Sequence, residues 1–531
     1  MGVPFLFAHL LRHYPAAVGR TFPKRVDRGY VDFNSVVHDC ARRAVTECHG
    51  HKSAEDVERA VIALSIDVLA ELAAACGRLF VAADGVPPRA KTVQQRNRRY
   101  MSSVHADRGA SALWNPCNVT PGTAFMRELD AAVRAWCSSF CSSCCSSSVV
   151  YSGSDEAGEG ERKIFETIRA SSPPSSHHLV CGLDADLIFM SLLVQGQHIT
   201  IQRRDASSGE QYVNVDLLRK LLVCNIRCHD DKCVEDFVVL SMLLGNDFVP
   251  ALPCLSIKHD AVNVLVELYR ESVRECGERL VIDTDDDRKE VNFGLLKRVV
   301  QKVSDIEDVL VVKLEQHHAD ALQQQHQQGR RHNQGRHHHN SDPLQDAIAP
   351  SLSGWRGRYY AALFGSYHSS PCSHVHVFCE AYLEALAWCT QYYMHFSRAF
   401  ASSTWHYPYA YAPTAQDLAR FLHTWPHAED PYARLGPVVS GCSDIELTEV
   451  EKGVLQLLTV LPPSASHLVP RPYDAIMTSP HAGCAHMYPK RFRTLSWFKF
   501  HDWEHVPVLP PLDVGLLRRA VVGLAADGGA N

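Results

Sequence analysis

Short apolar runs and longer segments with helical periodicity alternate along the first 255 residues of the chain. Runs of four to eight apolar residues bounded by turn residues predict buried strands. They lie at residues 29–34, 79–83, 148–152, 178–183 and 199–203. Because strands alternate with helices, the pattern predicts an α/β fold with a mostly parallel central sheet flanked by helices.

Helix signals fill the intervals between these strands. Ser53 with Asp56 three residues later predicts a helix start, and that helix should end near Gly77. The periodicity also predicts a helix at 123–136 and a buried helix at 236–244. A glycine turn at residues 158–160 should open a further helix.

The pattern changes beyond residue 258 and divides the chain into regions 1–258, 259–350 and 351–531. The middle region contains a His/Gln-rich tract at about 316–342 that has few large apolar residues. Such a composition predicts a disordered insertion. The last region is rich in aromatic residues, with a helical run at 382–396, and predicts a mainly helical unit packed against the first region.

The composition is that of a globular protein with two or three domains. The chain has 531 residues, of which 46% are hydrophobic and 21% charged, and its net charge is −6. Bulk positive charge is therefore excluded as a source of nucleic-acid binding. Nineteen cysteines without a secretory signal predict free thiols in a reducing compartment. The apolar stretch 57–83 is interrupted by charged residues, so we expect a soluble intracellular protein.

Acidic residues follow the predicted strands repeatedly. Ligands of parallel α/β sheets bind at the carboxyl ends of the strands, where these side chains would gather. Several carboxylates at one edge need cations, and oxygen ligands suit Mg²⁺ or Mn²⁺. Two such ions, about 4 Å apart, activate water in phosphodiester cleavage. The strand-end acids are Asp32, Asp84, Asp184 and Asp186, and the acids at comparable turns are Glu159, Glu161 and Asp247.

A basic face follows Asp84 directly. Between Gly85 and Ser103 the sequence contains no acidic residue. If this stretch is helical, Lys91, Gln95, Arg98 and Arg99 fall on one face, where cations and an amide would suit a phosphate. An ordinary solvated basic helix and unrelated surface acids remain alternatives. The residues alone therefore indicate metal-dependent phosphate chemistry.

Several motifs resemble the successive signatures of the eukaryotic 5′→3′ exoribonucleases, the XRN family. In the first region they are MGVPFLFAHLLRHYP, YVDFNSVVHDC, DGVPPRAKTVQQRNRRY, NPCNVTPGTAFM, GEGERKI, GLDADLIFMSL and LLGNDFVPALP. In the second conserved region they are GWRGRYY, YLEALAWCTQYY, WHYPYAYAP, LLTVLPPSASHLVP, MYPKRF and VPVLPPLD. They occur in the family's order over nearly the whole chain, apart from roughly 260–350.

The resemblance implies a PIN/FEN-like nuclease core at 1–258, a variable region at 259–350 and a helical region at 351–531 that encloses the active site. It implies that all seven acids bind Mg²⁺. It assigns the 5′-monophosphate to Lys91, Gln95, Arg98 and Arg99. Residues His38 and Trp405 would stack on the first bases, and Asn34 would neighbour the metal site.

The function implied is processive 5′→3′ degradation of 5′-monophosphorylated single-stranded RNA to nucleoside monophosphates by two-metal hydrolysis, in RNA turnover or processing. We expect two Mg²⁺ ions, with Mn²⁺ as a possible substitute, and a monomer whose protein partner is unidentified. The expected location is the nucleus or cytoplasm. We expect the chain to resemble in extent the compact nuclear members, without the long C-terminal extension of the large cytoplasmic ones, which favours the nucleus slightly.

Three positions depart from the family pattern, and two alternative functions stay open. Arg162 replaces a histidine, Ser403 a tryptophan and Ala410 a histidine. A FEN-like structure-specific DNA nuclease would instead need a helix-hairpin clamp after the core. A catalytically silent RNA-binding scaffold on the same fold is the other alternative, against which the intact acids argue.

Overall fold

A computed structural model of the chain describes residues 3, 5–47, 53–106, 113–143, 148–171, 175–205, 209–227, 230–285, 288–331, 348–364, 371–395, 402–425, 431–435, 447–497, 499 and 504–528. Its largest sheet has seven strands in the order β1-β7-β6-β5-β2-β3-β4. They are β1 (Val18–Gly19), β2 (Arg28–Asp32), β3 (Arg78–Ala82), β4 (Ser148–Ser152), β5 (His177–Cys181), β6 (His198–Asp205) and β7 (Gly209–Asn214).

The sheet is parallel from β6 through β5, β2 and β3 to β4, and the other edge carries antiparallel β7 and β1. Strand β2 lies between β3 and β5, with Tyr30 paired to Phe80 on one side and to Val180 on the other. The carboxyl ends of these three strands therefore meet at one edge. The predicted mostly parallel sheet is confirmed.

Helices cover both faces of this sheet. In the first 280 residues they are α1 (Leu6–His13), α2 (Phe33–Glu47), α3 (Ala54–Cys76), α4 (Arg89–Ala106), α5 (Ala124–Ser143), α6 (Gly160–Ser171), α7 (Asp186–Leu192), α8 (Val215–Ile226), α9 (Cys233–Met242) and α10 (Ala261–Cys276). The capping box predicted from Ser53 and Asp56 is present at the start of α3. Helix α5 continues seven residues beyond its predicted end.

The rest of the described chain is mainly helical, as predicted. Its helices are α11 (Phe293–Arg331), α12 (Trp355–Phe364), α13 (Pro371–Met394), α14 (Ala415–Thr424), α15 (Pro431–Arg434), α16 (Glu449–Val460), α17 (Ala475–Thr478) and α18 (Val514–Gly528). Two small hairpins pair β8 (Val281–Asp283) with β9 (Lys289–Val291) and β10 (Arg493–Leu495) with β11 (Val506–Val508).

Helix α11 corrects one prediction. It runs to Arg331, so the expectation of disorder from about residue 316 is wrong for residues 316–331. This stretch continues an amphipathic helix that buries Leu314 and His318, and Gln, Ala and Leu have good helix propensity. Residues 332–342 of the predicted insertion lie outside the described part of the chain.

Successive residues of β2 point to opposite faces of the sheet and enter two separate cores. Tyr30 joins the core that also contains Phe189 of α7 and Trp388 of α13, whereas Val31 joins the core built on α2, α3 and α5. The second conserved region thus shares a hydrophobic core with the sheet. Among the described helices, none combines the length and apolarity that crossing a membrane requires.

Candidate active site

Three carboxylates lie at the carboxyl ends of adjacent parallel strands. Asp32 is the last residue of β2, and Asp84 and Asp184 follow β3 and β5 by two and three residues. A glycine is required beside them, because a Cβ atom on Gly160 would lie 2.8 Å from the Ala82 carbonyl oxygen and 3.4 Å from the Asp32 and Asp84 carboxylates. The sheet therefore brings together acids that are up to 152 positions apart.

Asn34 binds Asp84 through two hydrogen bonds. Its side-chain Nδ2 donates to Asp84 Oδ2 at 3.0 Å, and its Oδ1 accepts from the Asp84 backbone N–H at 3.1 Å. The other oxygen, Asp84 Oδ1, accepts from the N–H of Gly160 at 2.8 Å, at the start of α6. The orientation of this carboxylate is thus fixed from two sides, and Asn34 neighbours the acids as the resemblance implied.

Lys91 of α4 lies among acids from two other segments. Its Nζ is 2.8 Å from Glu159 Oε2, 2.9 Å from Asp247 Oδ2 and 3.8 Å from Glu161 Oε1. All four side chains are almost fully buried, with at most 7% of each exposed. Lys91, predicted for phosphate binding, therefore compensates part of the negative charge of the acidic cluster.

Two adjacent tyrosines of α13 contact the same cluster. Tyr392 donates its hydroxyl to Glu159 Oε1 at 2.6 Å, and Tyr393 donates to Asp186 Oδ1 at 3.0 Å. The sequence prediction missed both residues, although they lie in the quoted motif YLEALAWCTQYY. Two consecutive tyrosines in a helical run rich in aromatic residues were the available signal, since buried tyrosine hydroxyls usually have partners.

The carboxylates differ in their electrostatic surroundings. Burial, and then the charges of Asp84 and Asp184, raise the pKa of Asp32 well above its ordinary value. Burial and then Asp247 raise the pKa of Asp186 to about 7. Burial would also raise the pKa of Asp247, but nearby positive charge that includes Lys91 and Arg98 together holds that pKa below its ordinary value.

The other acids show the same competition between burial and compensation. Burial raises the pKa of Glu161 well above its ordinary value, although the charge of Lys91 opposes this shift. Burial also raises the pKa of Asp84, and the hydrogen bond from the Gly160 N–H opposes that shift. For Asp184, the effect of burial is outweighed by nearby positive charge that includes Lys91, so its pKa is lowered. One lysine does not balance seven carboxylates.

The donor set fits a hard divalent cation. Glu161 Oε1 and Asp186 Oδ2 are buried oxygens without a hydrogen-bond partner in the part of the chain that the structure describes. Carboxylate oxygens in this state are suited to Mg²⁺ or Mn²⁺. Within the described ranges, no three acid, histidine or cysteine side chains already form a metal-holding group.

The four residues of the basic face are all on α4, as predicted, but their surroundings differ. Lys91 contacts the acids, whereas Arg99 donates to the Val119 carbonyl oxygen at 3.2 Å and lies against the Cys117 thiol. Gln95 Oε1 is buried and has no hydrogen-bond partner among the described residues. Arg98 is exposed and lines, together with Asp247, a cavity of about 890 Å³.

His38 and Trp405 lie in different surroundings. Burial and the charges of Arg99 and Arg98 lower the pKa of His38 to about 4, so its ring is neutral at physiological pH and adjoins the basic face. Trp405 stacks on Trp388 with ring centroids 5.1 Å apart, and Trp388 stacks on Tyr392 at 5.0 Å. The Trp388 ring therefore lies between Trp405 and Tyr392, the tyrosine that binds Glu159.

The three departures from the family pattern have distinct environments. Arg162 donates to the carbonyl oxygens of Tyr392 and His395 at 2.7 and 3.0 Å. The Ser403 carbonyl oxygen accepts from the Arg89 N–H at the start of α4. Ala410 packs against the main hydrophobic core. Arg162 is the departure that touches the tyrosine-bearing helix.

Comparisons with known proteins agree over nearly the whole chain. The family model described as the XRN 5′-3′ exonuclease N-terminus matches residues 1–205. The model described as the Xrn1 helical domain matches residues 227–342 and 311–527, which is more than half of the chain.

Curated relatives match at low identity over long alignments. The chain is similar to 5′-3′ exoribonuclease 1 of Homo sapiens, with 25% identity over 98% of the chain and 34% of the relative. It is similar to the 5′-3′ exoribonuclease 2 homolog of Caenorhabditis briggsae, with 24% identity over 97% of the chain and 70% of the relative. It is also similar to the 5′-3′ exoribonuclease 2 of Gallus gallus, with 23% identity over 99% of the chain and 70% of the relative. The chain thus spans about a third of the human relative's length and about two thirds of the others'.

Proposed function

The chain belongs to the XRN 5′-3′ exoribonuclease family, and on this premise we propose that it hydrolyses 5′-monophosphorylated single-stranded RNA from the 5′ end in the presence of Mg²⁺. The observation that carries this proposal is the junction of the acidic cluster with α4. Asp84 precedes α4 by only five residues, and Lys91 of α4 lies 2.9 Å from Asp247. Groups suited to a metal and groups suited to a phosphate therefore share one site.

The acids Asp32, Asp84, Glu159, Glu161, Asp184, Asp186 and Asp247 are proposed to hold two divalent ions. When bound, these ions would supply an activated water and stabilise the leaving oxygen. Asn34 and the Gly160 N–H fix the carboxylate of Asp84, and Lys91 limits the repulsion among the acids.

The basic face determines which RNA end is bound. We assign the 5′-phosphate to Arg98, Arg99, Gln95 and Lys91, because guanidinium groups and an amide bind phosphate oxygens through charge-assisted hydrogen bonds. His38 and Trp405 are assigned to the first bases, which would stack on their rings. Since α4 begins five residues after Asp84, the bound end would lie close to the metal-binding acids.

The chemistry explains why one site can act repeatedly. Water adds to the phosphorus of the first phosphodiester, and the bond from phosphorus to the 3′-oxygen breaks. The released nucleotide takes a proton on its 3′-oxygen and leaves as a nucleoside 5′-monophosphate. The remaining RNA begins with a new 5′-monophosphate, which is again a substrate for the basic face.

The test uses three RNAs of one sequence that carry a 5′-monophosphate, a 5′-hydroxyl or a 5′-triphosphate. With Mg²⁺, we expect the monophosphate RNA to disappear first, and the double variant Asp184→Ala/Asp186→Ala to be inactive. Equal decay of all three would contradict the phosphate assignment. No decay by the wild type would favour the RNA-binding scaffold, and cleavage of branched DNA alone would favour the FEN-like alternative.

A further inference from the structure

We propose that Tyr392 and Tyr393, supported by Arg162, are positioning residues that hold Glu159 and Asp186 in the arrangement that binds divalent metal. The inference deepens the proposed function and rests on its assignment of the metal to the acids. The sequence of the first region does not predict this positioning role, because both tyrosines belong to the second region. It gives the second region a direct part in building the metal site.

Each tyrosine binds one oxygen of its carboxylate and leaves the other for a cation. Tyr393 donates to Asp186 Oδ1, while Asp186 Oδ2 is buried and has no hydrogen-bond partner among the described residues. Tyr392 donates to Glu159 Oε1, while Glu159 Oε2 lies 2.8 Å from Lys91 Nζ. This division is what a second layer of hydrogen bonds around a metal ligand does, since it fixes the orientation of the carboxylate.

Both phenols are suited to act as fixed donors. Tyr392 and Tyr393 are at most 1% exposed, so water does not compete for their hydroxyls. Consecutive residues of a helix point in directions about 100° apart. The two hydroxyls therefore reach carboxylates that belong to different segments of the first region.

Arg162 connects α13 to the segment that carries Glu159 and Glu161. It follows Glu161 directly in the chain, and its guanidinium binds the carbonyl oxygens of Tyr392 and His395. The Tyr392 carbonyl lies in the last turn of α13, which ends at Met394, and the His395 carbonyl follows directly. Helices leave acceptors without internal partners at this end, which favours a cation. The guanidinium also lies over the Tyr392 ring, 4.5 Å from its centroid.

The Tyr392 ring has further support from the same helix. Trp388, one turn earlier, stacks on it with ring planes 18° apart. Arg162 and Trp388 are themselves buried, so the ring cannot turn without moving both. The hydroxyl of Tyr392 is therefore fixed relative to Glu159. Arg162, one of the three departures from the family pattern, acts on the acids through Tyr392.

The test measures Mg²⁺ binding directly by isothermal titration calorimetry of the full chain, without RNA. Tyr392→Phe and Tyr393→Phe each remove one hydroxyl and keep the ring, and loss of such a contact typically weakens metal affinity about 10–100-fold. We expect that loss in each variant. In RNA hydrolysis, raising Mg²⁺ should restore kcat, while KM for RNA stays near the wild-type value.

Tyr359→Phe is the matched control. Tyr359 is a fully buried tyrosine of the same region, and its hydroxyl donates to the Ala412 carbonyl oxygen at 2.6 Å, away from the acids. It should lose a comparable hydrogen bond and leave the Mg²⁺ affinity unchanged. Arg162→Met should weaken Mg²⁺ binding less than Tyr392→Phe, and the double variant should lose less than the two effects combined.

Mg²⁺ binding by Tyr392→Phe and Tyr393→Phe at wild-type affinity would overturn the proposal. Equal weakening in Tyr359→Phe would also overturn it, because the effect would then come from the fold of the region. A wild type that shows no Mg²⁺ binding would contradict it outright. If the wild type binds Mg²⁺ and the variants do not, yet no RNA is hydrolysed, the proposed function fails and the positioning role stands.

Discussion

Lys91 and Asp247 form a buried ion pair with 2.9 Å between Nζ and Oδ2, which joins the basic helix α4 to the acidic cluster. Burial would lower the pKa of Lys91, but Asp247 and Glu159 outweigh it and hold that pKa well above its ordinary value. The lysine is therefore charged and compensates the buried carboxylates of Glu159 and Asp247. We infer that it shares this task with the metal ions.

The first prediction concerns stability without metal. Lys91→Met leaves Glu159 and Asp247 buried without their cation, and breaking a buried pair from one side typically costs about 3–5 kcal/mol. We expect the free energy of unfolding to fall by about that amount in EDTA and to recover in part with Mg²⁺. Urea denaturation of the variant under both conditions measures the difference.

The matched control is Lys302→Met. Lys302 pairs with Glu271 and Glu275 at the surface, so we expect a small change that Mg²⁺ does not alter. A Lys91→Met variant that loses the same stability with and without Mg²⁺ would contradict the shared compensation.

The second prediction concerns the orientation of Asp84. Asn34→Ala removes both hydrogen bonds to Asp84, and contacts that orient a metal ligand are typically worth about 10–100-fold in activity. We expect kcat on 5′-monophosphate RNA to fall within that range, and higher Mg²⁺ to recover part of it. Asn225→Ala, which removes a hydrogen bond to Tyr14 remote from the acids, is the control. An Asn34→Ala enzyme of wild-type rate would exclude this role.

The third prediction concerns recognition of the RNA end. Arg98 is the exposed member of the basic face, and a hydrogen bond to a charged group is worth about 1.5–3 kcal/mol, or roughly 10–100-fold. Arg98→Gln should raise KM for 5′-monophosphate RNA by that factor and leave KM for 5′-hydroxyl RNA unchanged. Arg59→Gln, which affects an exposed pair with Asp56 on α3, is the matched control. An equal rise for both RNAs would show that Arg98 does not bind the end phosphate.

The fourth prediction concerns pH and stability. Burial, and then the charge of Arg169, lower the pKa of His395 to about 4, and its Nε2 accepts from the Lys289 N–H. The unfolded chain therefore binds more protons than the folded chain between about pH 6.5 and 4. The stabilisation that comes from the neutral His395 ring is complete above pH 6.5 and is lost as the pH falls toward 4. Between pH 7 and 5, the free energy of unfolding should fall by roughly 1–2 kcal/mol more in the wild type than in His395→Gln, a range that allows for the partial exposure of His395. Parallel losses in urea denaturation at the two pH values would refute this.

Much of the fold was predictable because its signals are local. The strand that ends at Asp32, the capping box at Ser53 and the glycine turn at Gly160 each depend on a few neighbouring residues. Parallel strands then place Asp32, Asp84 and Asp184 at one edge regardless of their separation in sequence. The tract at 316–331 misled because composition alone does not show that it continues an amphipathic helix.

The contacts between regions could not be predicted in the same way. Helical periodicity grouped Lys91 with Arg98 and Arg99, but it does not show that Lys91 forms ion pairs with Glu159 and Asp247, since that depends on where these two acids lie. The hydroxyls of Tyr392 and Tyr393 reach acids more than 200 positions away. Such contacts are set by packing of α13 on the sheet, which a periodic pattern does not encode.

The measurement that tests the central claim most directly is the identity of the first product released from RNA with a radioactive 5′-monophosphate. With Mg²⁺, we predict that the label leaves from the first time points as a nucleoside 5′-monophosphate, with no labelled oligonucleotide, and that Asp184→Ala/Asp186→Ala releases none. Label in short oligonucleotides would contradict the account by showing internal cleavage. Label released as inorganic phosphate, or retained in intact RNA, would contradict it as well.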